Sequence, residues 1–550
     1  MESLALNLII LVPLIAAIVV TILPSAMERA IPRFALAVGT VVGLIAIWLW
    51  LQVDHVGGLF AVTQLDWLRI GDYEGDKFIR GLLVSYHVGV DGISAPLIAL
   101  TGLLVPLAIA CGFASIQTRI REYYAWMLLL TAGMFGVFAA RDVLLFYVFF
   151  EFTLVPLYFL IGIWGGSDRR YAANKFFLFT FVGSVVTFAG ILYLAVRAAQ
   201  IEGGAVTFGL EALTKASYGL SSLEQSLLFV AFFCGFAIKV PFFPLHTWLP
   251  LAHTEAPTAG SVLLAGVLLK LGTYGFLRFS LPMVPAGAVG WASVMGLLAV
   301  AGIIYGALCS WVQRDVKKLV AYSSVSHLGF CMLGLFSLMP LGLTGSVLYM
   351  VNHGISTGAL FLCVGMIYER YHTRDMDKLG GLARQMPILA TFLMLFVFSS
   401  IGLPGLNGFV SEFTVLMAAF SSDSLGPWYG GLGATGILLG AIYMLYCAGQ
   451  VLFGPLKEPP HTPDLKNGLT IDLNPREIAI LAPLALTVIL LGVAPRIITD
   501  TLDPALEKQV LSKVSIRELA PGDDVPTKRV ALADSASQSV DSPTIFGSGN

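Results

Sequence analysis

Runs of about twenty apolar residues, separated by short polar stretches, recur along almost the whole chain. At a rise of about 1.5 Å per residue such a run reaches across a bilayer core of about 30 Å, so each reads as a membrane-spanning helix. Fourteen spans are predicted, at residues 4–23, 33–52, 91–115, 122–139, 143–164, 173–197, 224–247, 256–280, 287–308, 317–339, 342–368, 386–420, 430–453 and 476–496. The expected fold class is all-α, a polytopic membrane protein with about 14 transmembrane helices. Two spans carry helix breakers. In the seventh, Pro241 and Pro244 follow Lys239 and remove two backbone donors. The twelfth is too long for one crossing and contains Leu403-Pro404-Gly405-Leu406-Asn407-Gly408, so it reads as two half-helices around an unwound centre. The breaks lie five spans apart. That spacing predicts two five-helix repeats, spans 4–8 and 9–13, and an odd helix number gives the copies inverted topology. The chain then divides into three N-terminal helices with a polar loop (1–115), the repeats (116–282 and 283–453), a last helix with its preceding loop (454–496) and a tail (497–550).

Composition supports the membrane reading: 57% of the residues are hydrophobic and 12% charged, about half the charge of a soluble domain. The six cysteines (111, 234, 309, 331, 363 and 447) fall singly within spans without CxxC spacing. They read as small apolar side chains, not as metal ligands or disulfides. No basic region precedes the first apolar run, which is long enough to remain as a span. Basic residues concentrate in alternate loops, around Arg29, Arg119, Arg169, Lys317, Arg370 and Lys466, while the opposite loops hold fewer, among them Arg69, Arg141 and Arg278. The positive-inside rule makes the first set cytoplasmic and puts both termini outside. Only Lys239 and Lys270 are then left within spans. Residues 53–90 and 199–223 read as polar loops outside the cytoplasm, with 205–213 a short amphipathic piece; 520–550, rich in Ser, Asp and Gly, reads as a disordered tail.

The intramembrane polar residues form a series. Glu151 lies among Phe149, Phe150 and Phe152 in the fifth span, Lys239 at the seventh-span break and Lys270 in the eighth. His327 lies in the tenth, His353 in the eleventh and Glu412 after the twelfth-span break. A charge at mid-bilayer costs several kcal/mol, about 3 on insertion scales, so each needs a partner or a task. A lone intramembrane histidine is more often a satisfied packing residue than a functional one, and for His353 the two readings weigh equally. Glu151 must be neutral or paired, and Lys239 is the cation available to it. One ionisable group per helix, in near-consecutive helices, suits a lateral proton relay. There is no glycine-rich phosphate loop or nucleotide fingerprint, so no redox cofactor and no nucleic acid are expected on this chain.

The string FPLHTWLPLAHTEAPTAGSVLLAGVLLKLGTYG resembles the central signature of the antiporter-like membrane subunits of respiratory complex I, and the resemblance extends over residues 1–496. Lys270 in SVLLAGVLLK and Glu412 in LNGFVSEF are similar to the M-type members; L- and N-type members and sodium/proton antiporter subunits usually carry lysine at the second position. The resemblance implies proton translocation in the membrane arm of an NADH:quinone oxidoreductase, in the cell inner membrane. FMN, iron–sulfur clusters and quinone would sit in partner subunits, with related subunits L and N on either side. It makes Glu151 and Lys239 an interacting pair, Lys270 the central-axis lysine, His327 and His353 connecting residues, and Glu412 the outer glutamate. Two departures stand out: Leu251 occupies a position where the family usually has aspartate, and the tail is longer than the family's. The alternative readings are a subunit of a multi-subunit Na+/H+ antiporter, which shares the helix pattern, and a structural spacer, which leaves the buried ionisable residues unexplained.

Overall fold

A computed structural model describes residues 1–74 and 77–515. Among them thirteen helices are long and apolar enough to cross a membrane. The first eleven are α1 (Glu2–Ile22), α2 (Ile31–Leu51), α3 (Ala95–Ser115), α4 (Ile120–Ala139), α5 (Val143–Trp164), α6 (Arg169–Glu202), α7 (Ser222–Lys239), α8 (Thr258–Met283), α9 (Pro285–Trp311), α10 (Val316–Phe336) and α11 (Pro340–Tyr371). Two shorter helices, α12 (Pro387–Ser400) and α13 (Asn407–Ser421), share the next crossing. α14 (Pro427–Leu452) and α15 (Pro475–Val493) follow.

Helix starts are written into the sequence. Ser221 and Glu224 form a reciprocal capping box on α7, as Asn474 and Glu477 do on α15. Asp142 caps α5 by accepting from the amides of Leu144 and Leu145, each at 3.0 Å. Burial pushes the Asp142 carboxyl up to about 6, against the pull of those two amides.

The packing sorts the helices. α8 and α11 are buried on every side and α10 nearly so, whereas α1, α2, α6, α14 and α15 keep an apolar face outward. Outward faces suit lipid, and the inner helices can hold polar groups shielded from it. Both anticipated breaks are present. α7 ends at Lys239, and a non-helical stretch leads to the short helix Leu249–Glu255. The second break separates Ser400 from Asn407.

The all-α expectation holds, and what is corrected is the reading of residues 53–90 as a loop, since they hold a hairpin. Strands β1 (Phe60–Glu74) and β2 (Lys77–Val90) pair antiparallel, and β3 (Val206–Thr207) adds to β2 in parallel. Asn7 of α1 anchors the hairpin, donating to Thr63 and accepting from Tyr86, each at 2.8 Å. Residues 205–213 are strand and then the start of a helix, Leu210–Ala216.

Three basic residues assigned to loops are buried in helices instead: Arg278 in α8, Lys317 at the start of α10 and Arg370 in α11. Each has local compensation. Arg278 and Arg141 flank Asp91 at 2.6 and 2.9 Å on the hairpin face. Arg370 meets Glu477 through two bonds of 2.9 and 2.7 Å, and its remaining donors reach the carbonyls of Met366, Thr470 and Asp472. Helix α16 (Arg496–Leu506) and the turns after it pack back on the hairpin face rather than trailing away. There Asp503 accepts from Thr344, and Gln509 accepts from Arg141 and Arg278. Residues 520–550 lie outside the described residues.

Candidate functional site

The chain of polar side chains starts where α8 is irregular. Leu264–Leu268 form a π-type turn, in which the Leu269 amide reaches back five residues to the Leu264 carbonyl at 3.2 Å. Such insertions re-aim the side chains that follow and recur at functional sites. The fully buried Lys270 comes next. Its Nζ donates to the Ala265 carbonyl and to His353 Nδ1, the latter at 2.7 Å.

Among the described residues His353 Nε2 has no hydrogen-bond partner, and the ring faces His327, with centroids 5.6 Å apart. Both histidines line a cavity with Tyr349, Asn352, Ser400 and Glu412. About 20 Å³ of it is open to the centre of a water molecule, enough for one water with several polar partners. Beyond it the contacts are direct. Tyr349 donates its hydroxyl proton to Glu412 Oε1 at 2.7 Å, and His327 Nδ1 stands 2.7 Å from the same phenol oxygen. Since the phenol proton is directed at the carboxylate, Nδ1–H of His327 is the donor to the phenol, and Nε2 accepts from Ser400 at 3.2 Å. His327 and Glu412 themselves are 3.9 Å apart, so Tyr349 is the bridge.

The second break holds this end in place. Ser399 donates to Asn407 at 2.6 Å, and Asn352 and Asn407 exchange bonds, Asn352 to the Asn407 carbonyl at 2.7 Å and Asn407 to Asn352 Oδ1 at 3.2 Å. These side chains satisfy backbone and polar groups that the unwound segment frees. Gly402, at φ +73°, faces Glu412 Oε2 so closely that a Cβ there would collide with it.

Four of the six expected residues, Lys270, His353, His327 and Glu412, therefore form one line. The other two stand apart. Lys239 Nζ lies 3.5 Å from Thr153 Oγ1 and 4.6 Å from the Phe150 ring centre, and the Trp248 indole caps the Ile238 carbonyl at 2.9 Å where α7 stops. Glu151 lies near Ser184 and within the electrostatic reach of Lys239, but the two are not in ion-pair contact, and Glu151 Oε1 has no hydrogen-bond partner among the described residues. The interacting pair expected from the sequence is thus a through-space one here, with aromatic and hydroxyl neighbours of Lys239 on the turn that carries Glu151. A cleft beside Lys239, lined by Leu157, Leu264, Leu268 and Leu269, has no room for a water molecule. Leucines of the Lys270 helix thus line a dry wall at Lys239.

Tyr349, Asn352, Ser399, Ser400 and Asn407 were not among the candidates. A signal was present for two of them. In LYMVNHGIS, Tyr349, Asn352, His353 and Ser356 fall at helical spacing on one face of an otherwise apolar span.

Residues 140–437 match the family described as NADH:quinone oxidoreductase/Mrp antiporter, TM. NADH-quinone oxidoreductase subunit M of Rhodobacter capsulatus is 44% identical over 438 residues, which span 79% of this chain and 83% of that protein. Among solved structures, a chain of respiratory complex I from Thermus thermophilus with bound NADH superposes with TM-score 0.78 at 30% identity, covering 94% of this chain and 99% of that one. A chain of the Mrp complex from Dietzia sp. DQ12-45-1b shares the fold, with TM-score 0.77 at 21% identity over 93% of this chain and 99% of that one. With a family match over more than half its length and a relative this similar, the chain belongs to the NADH:quinone oxidoreductase/Mrp antiporter transmembrane family.

Proposed function

We propose that this chain is the M-type proton-translocating subunit in the membrane arm of an NADH:quinone oxidoreductase. The observation that carries the reading is the buried line Lys270–His353–His327–Tyr349–Glu412, set between helices shielded from lipid. Family membership chooses the complex, since the relative at 44% identity is an M subunit. FMN, iron–sulfur clusters and quinone are assigned to partner subunits; the cysteines here are free and scattered singly. Related L- and N-type subunits are its neighbours in the arm. The basic-loop face is cytoplasmic and the hairpin face and both termini lie outside.

In this reading each residue has a task. Glu151 and Lys239 sense the neighbouring subunit: a carboxylate drawn nearer strengthens a lysine's hold on its proton, and one withdrawn weakens it. Lys270 holds a proton beside His353 Nδ1. Transfer to His353 leaves its Nε2 to pass a proton across the cavity to His327 Nε2. His327 then gives its Nδ1 proton to the Tyr349 oxygen as Tyr349 gives its own to Glu412, so the phenol ends the step unchanged. Release outside works against about 2.3 kcal/mol per charge per 100 mV of membrane potential.

The test is to purify the tagged chain in mild detergent and look for flavin and iron–sulfur absorbance with NADH:quinone activity, then to measure proton uptake by vesicles carrying the Glu151→Gln variant. The expected result is a redox complex whose variant pumps fewer protons per NADH. An intact multi-subunit preparation lacking those chromophores, with sodium-dependent proton exchange, would replace this reading with the antiporter one.

A further inference from the structure

Glu151 on α5 and Lys239 at the end of α7 act on each other without touching, so their separation is set by what joins the two helices. Helix α6 joins them. On its α5 side the Phe188 ring stacks on Tyr147, one turn before Glu151, with centroids 4.7 Å apart and planes 17° from parallel. Ser184, one turn along α6 from Phe188, stands beside the Glu151 carboxyl. Toward α7 the contact is made by Thr187. Its hydroxyl donates to the Ala231 carbonyl at 2.9 Å and accepts from the Gly235 amide at 3.1 Å.

Those are the two groups that an α-helix pairs with each other, four residues apart. The Thr187 oxygen therefore sits on one rung of the α7 ladder, a place where an intruding side chain is a recognised cause of helix bending. The rung is next to the break. Lys239, the last residue of α7, stands four residues after Gly235, and beyond it the Phe242 amide reaches back five residues to Ala237 at 2.8 Å. Small residues permit this approach: a Cβ at Gly235 would collide with the Thr187 hydroxyl, and one at Gly183 with the Cys234 carbonyl. A packing threonine in a helix commonly bonds its own preceding turn, as Thr180 of α6 does to the Phe176 carbonyl at 2.7 Å. Thr187 instead donates to and accepts from a different helix. It is buried, as Ser184 is, while Val182, Val185 and Val186 on the other side of α6 face outward.

We propose that Thr187 is a positioning residue for Lys239: its hydroxyl fastens the last turns of α7 to α6, so that Lys239 follows the helix whose Ser184 and Phe188 lie against the Glu151 segment. The inference rests on the proton-translocating reading, in which the distance between Glu151 and Lys239 governs the lysine's hold on its proton. Thr187 acts through Lys239 and carries no translocated proton itself. Without its hydroxyl, α5 and α7 lose the tie that makes a shift in one register at the other.

The test uses the whole complex in sealed vesicles, reading protons taken up per NADH oxidised with a pH-sensitive dye, with flavin content as the gauge of assembly. Thr187→Val replaces the hydroxyl with a methyl, Thr187→Ser keeps the hydroxyl, and Thr180→Val removes a hydroxyl of the same helix that bonds only its own turns. Thr187→Val is expected to assemble and to lower the proton yield by a factor of about two or more, since one hydrogen bond shifts a two-state balance roughly two- to tenfold. Thr187→Ser and Thr180→Val are expected to keep the wild-type yield. A wild-type yield in Thr187→Val would overturn the proposal, and so would an equal loss in Thr187→Ser or Thr180→Val, which would trace the effect to shape or to any hydroxyl of α6. If Thr187→Val does not assemble, Thr187→Ala decides by the same criteria. Glu151→Gln separates the two levels of argument. A wild-type yield there removes the translocating role of the pair and this proposal with it, whereas a reduced yield there beside a normal Thr187→Val removes only the role of Thr187.

Discussion

Tyr349→Phe isolates one hydroxyl in the polar line. The phenol ring stacks on Phe330 at 5.7 Å, a contact that phenylalanine preserves, so the substitution removes oxygen without disturbing packing. What it removes is two bonds of 2.7 Å, one to Glu412 and one shared with His327. The partners left behind are 3.9 Å apart, beyond the reach of about 3.2 Å within which a proton passes directly between heavy atoms. Leaving a buried partner without its bond costs about 1–3 kcal/mol. Applied to the His327-to-Glu412 step, that slows the transfer roughly 5- to 150-fold, at about 1.36 kcal/mol per factor of ten. The assay is proton uptake per NADH in sealed vesicles, beside quinone reduction after the gradient is collapsed with an uncoupler. The expected outcome is a reduced proton yield, with assembly and flavin content unchanged. Wild-type yield and wild-type coupled rate in Tyr349→Phe would show that protons do not pass through this phenol, and the relay would have to be redrawn around it.

Two further predictions concern stability. Arg370→Met leaves Glu477 buried without its cation and should lower the unfolding temperature of the purified complex, by a loss of about 3–5 kcal/mol, while adding Glu477→Leu should recover part of it; a double variant worse than the single one would refute the pairing argument. For Asp142, the folded carboxyl sits at about 6 against an ordinary 3.8, so the folded chain holds that proton more tightly than the unfolded one. The resulting stabilisation is complete below the unfolded value and is lost as pH rises through about 6, roughly 3 kcal/mol in all. Asp142→Asn keeps an acceptor for the Leu144 and Leu145 amides and carries no charge. It should therefore melt higher than wild type at pH 7.5 and show a flatter pH dependence between 4 and 6, as scans at one fixed heating rate would reveal.

The span pattern was legible because a bilayer core demands long apolar runs, and the breaks were legible because proline and glycine mark them wherever they occur. Lys239, Lys270 and Glu412 were conspicuous for the same reason: a charge in an apolar run is rare. Tyr349 and Asn407 were not, since neutral polar residues are tolerated in spans and only their three-dimensional neighbours give them meaning. The hairpin was hidden by its own irregularity. Register shifts between Asp66 and Leu68 and between Asp72 and Tyr73 interrupt the alternation by which strands are read, so its residues pass for a polar loop. Arg278 looked like a loop residue because its partner, Asp91, is 187 positions away. The distance between Glu151 and Lys239 was open in the sequence, because which side chain fills the space at a break depends on Thr153 and Phe150 packing across it.

The leucine-lined cleft beside Lys239 is an insulator toward protons. An electric field crosses hydrocarbon readily, whereas a proton needs an unbroken file of oxygen and nitrogen atoms. The field of a charge on Lys239 therefore passes into that wall, while the proton itself does not. One consequence is that a proton on Lys239 has no file of water to follow on its leucine side. The other is a vulnerability, since a polar side chain placed at Leu268 would break the apolar lining of that wall.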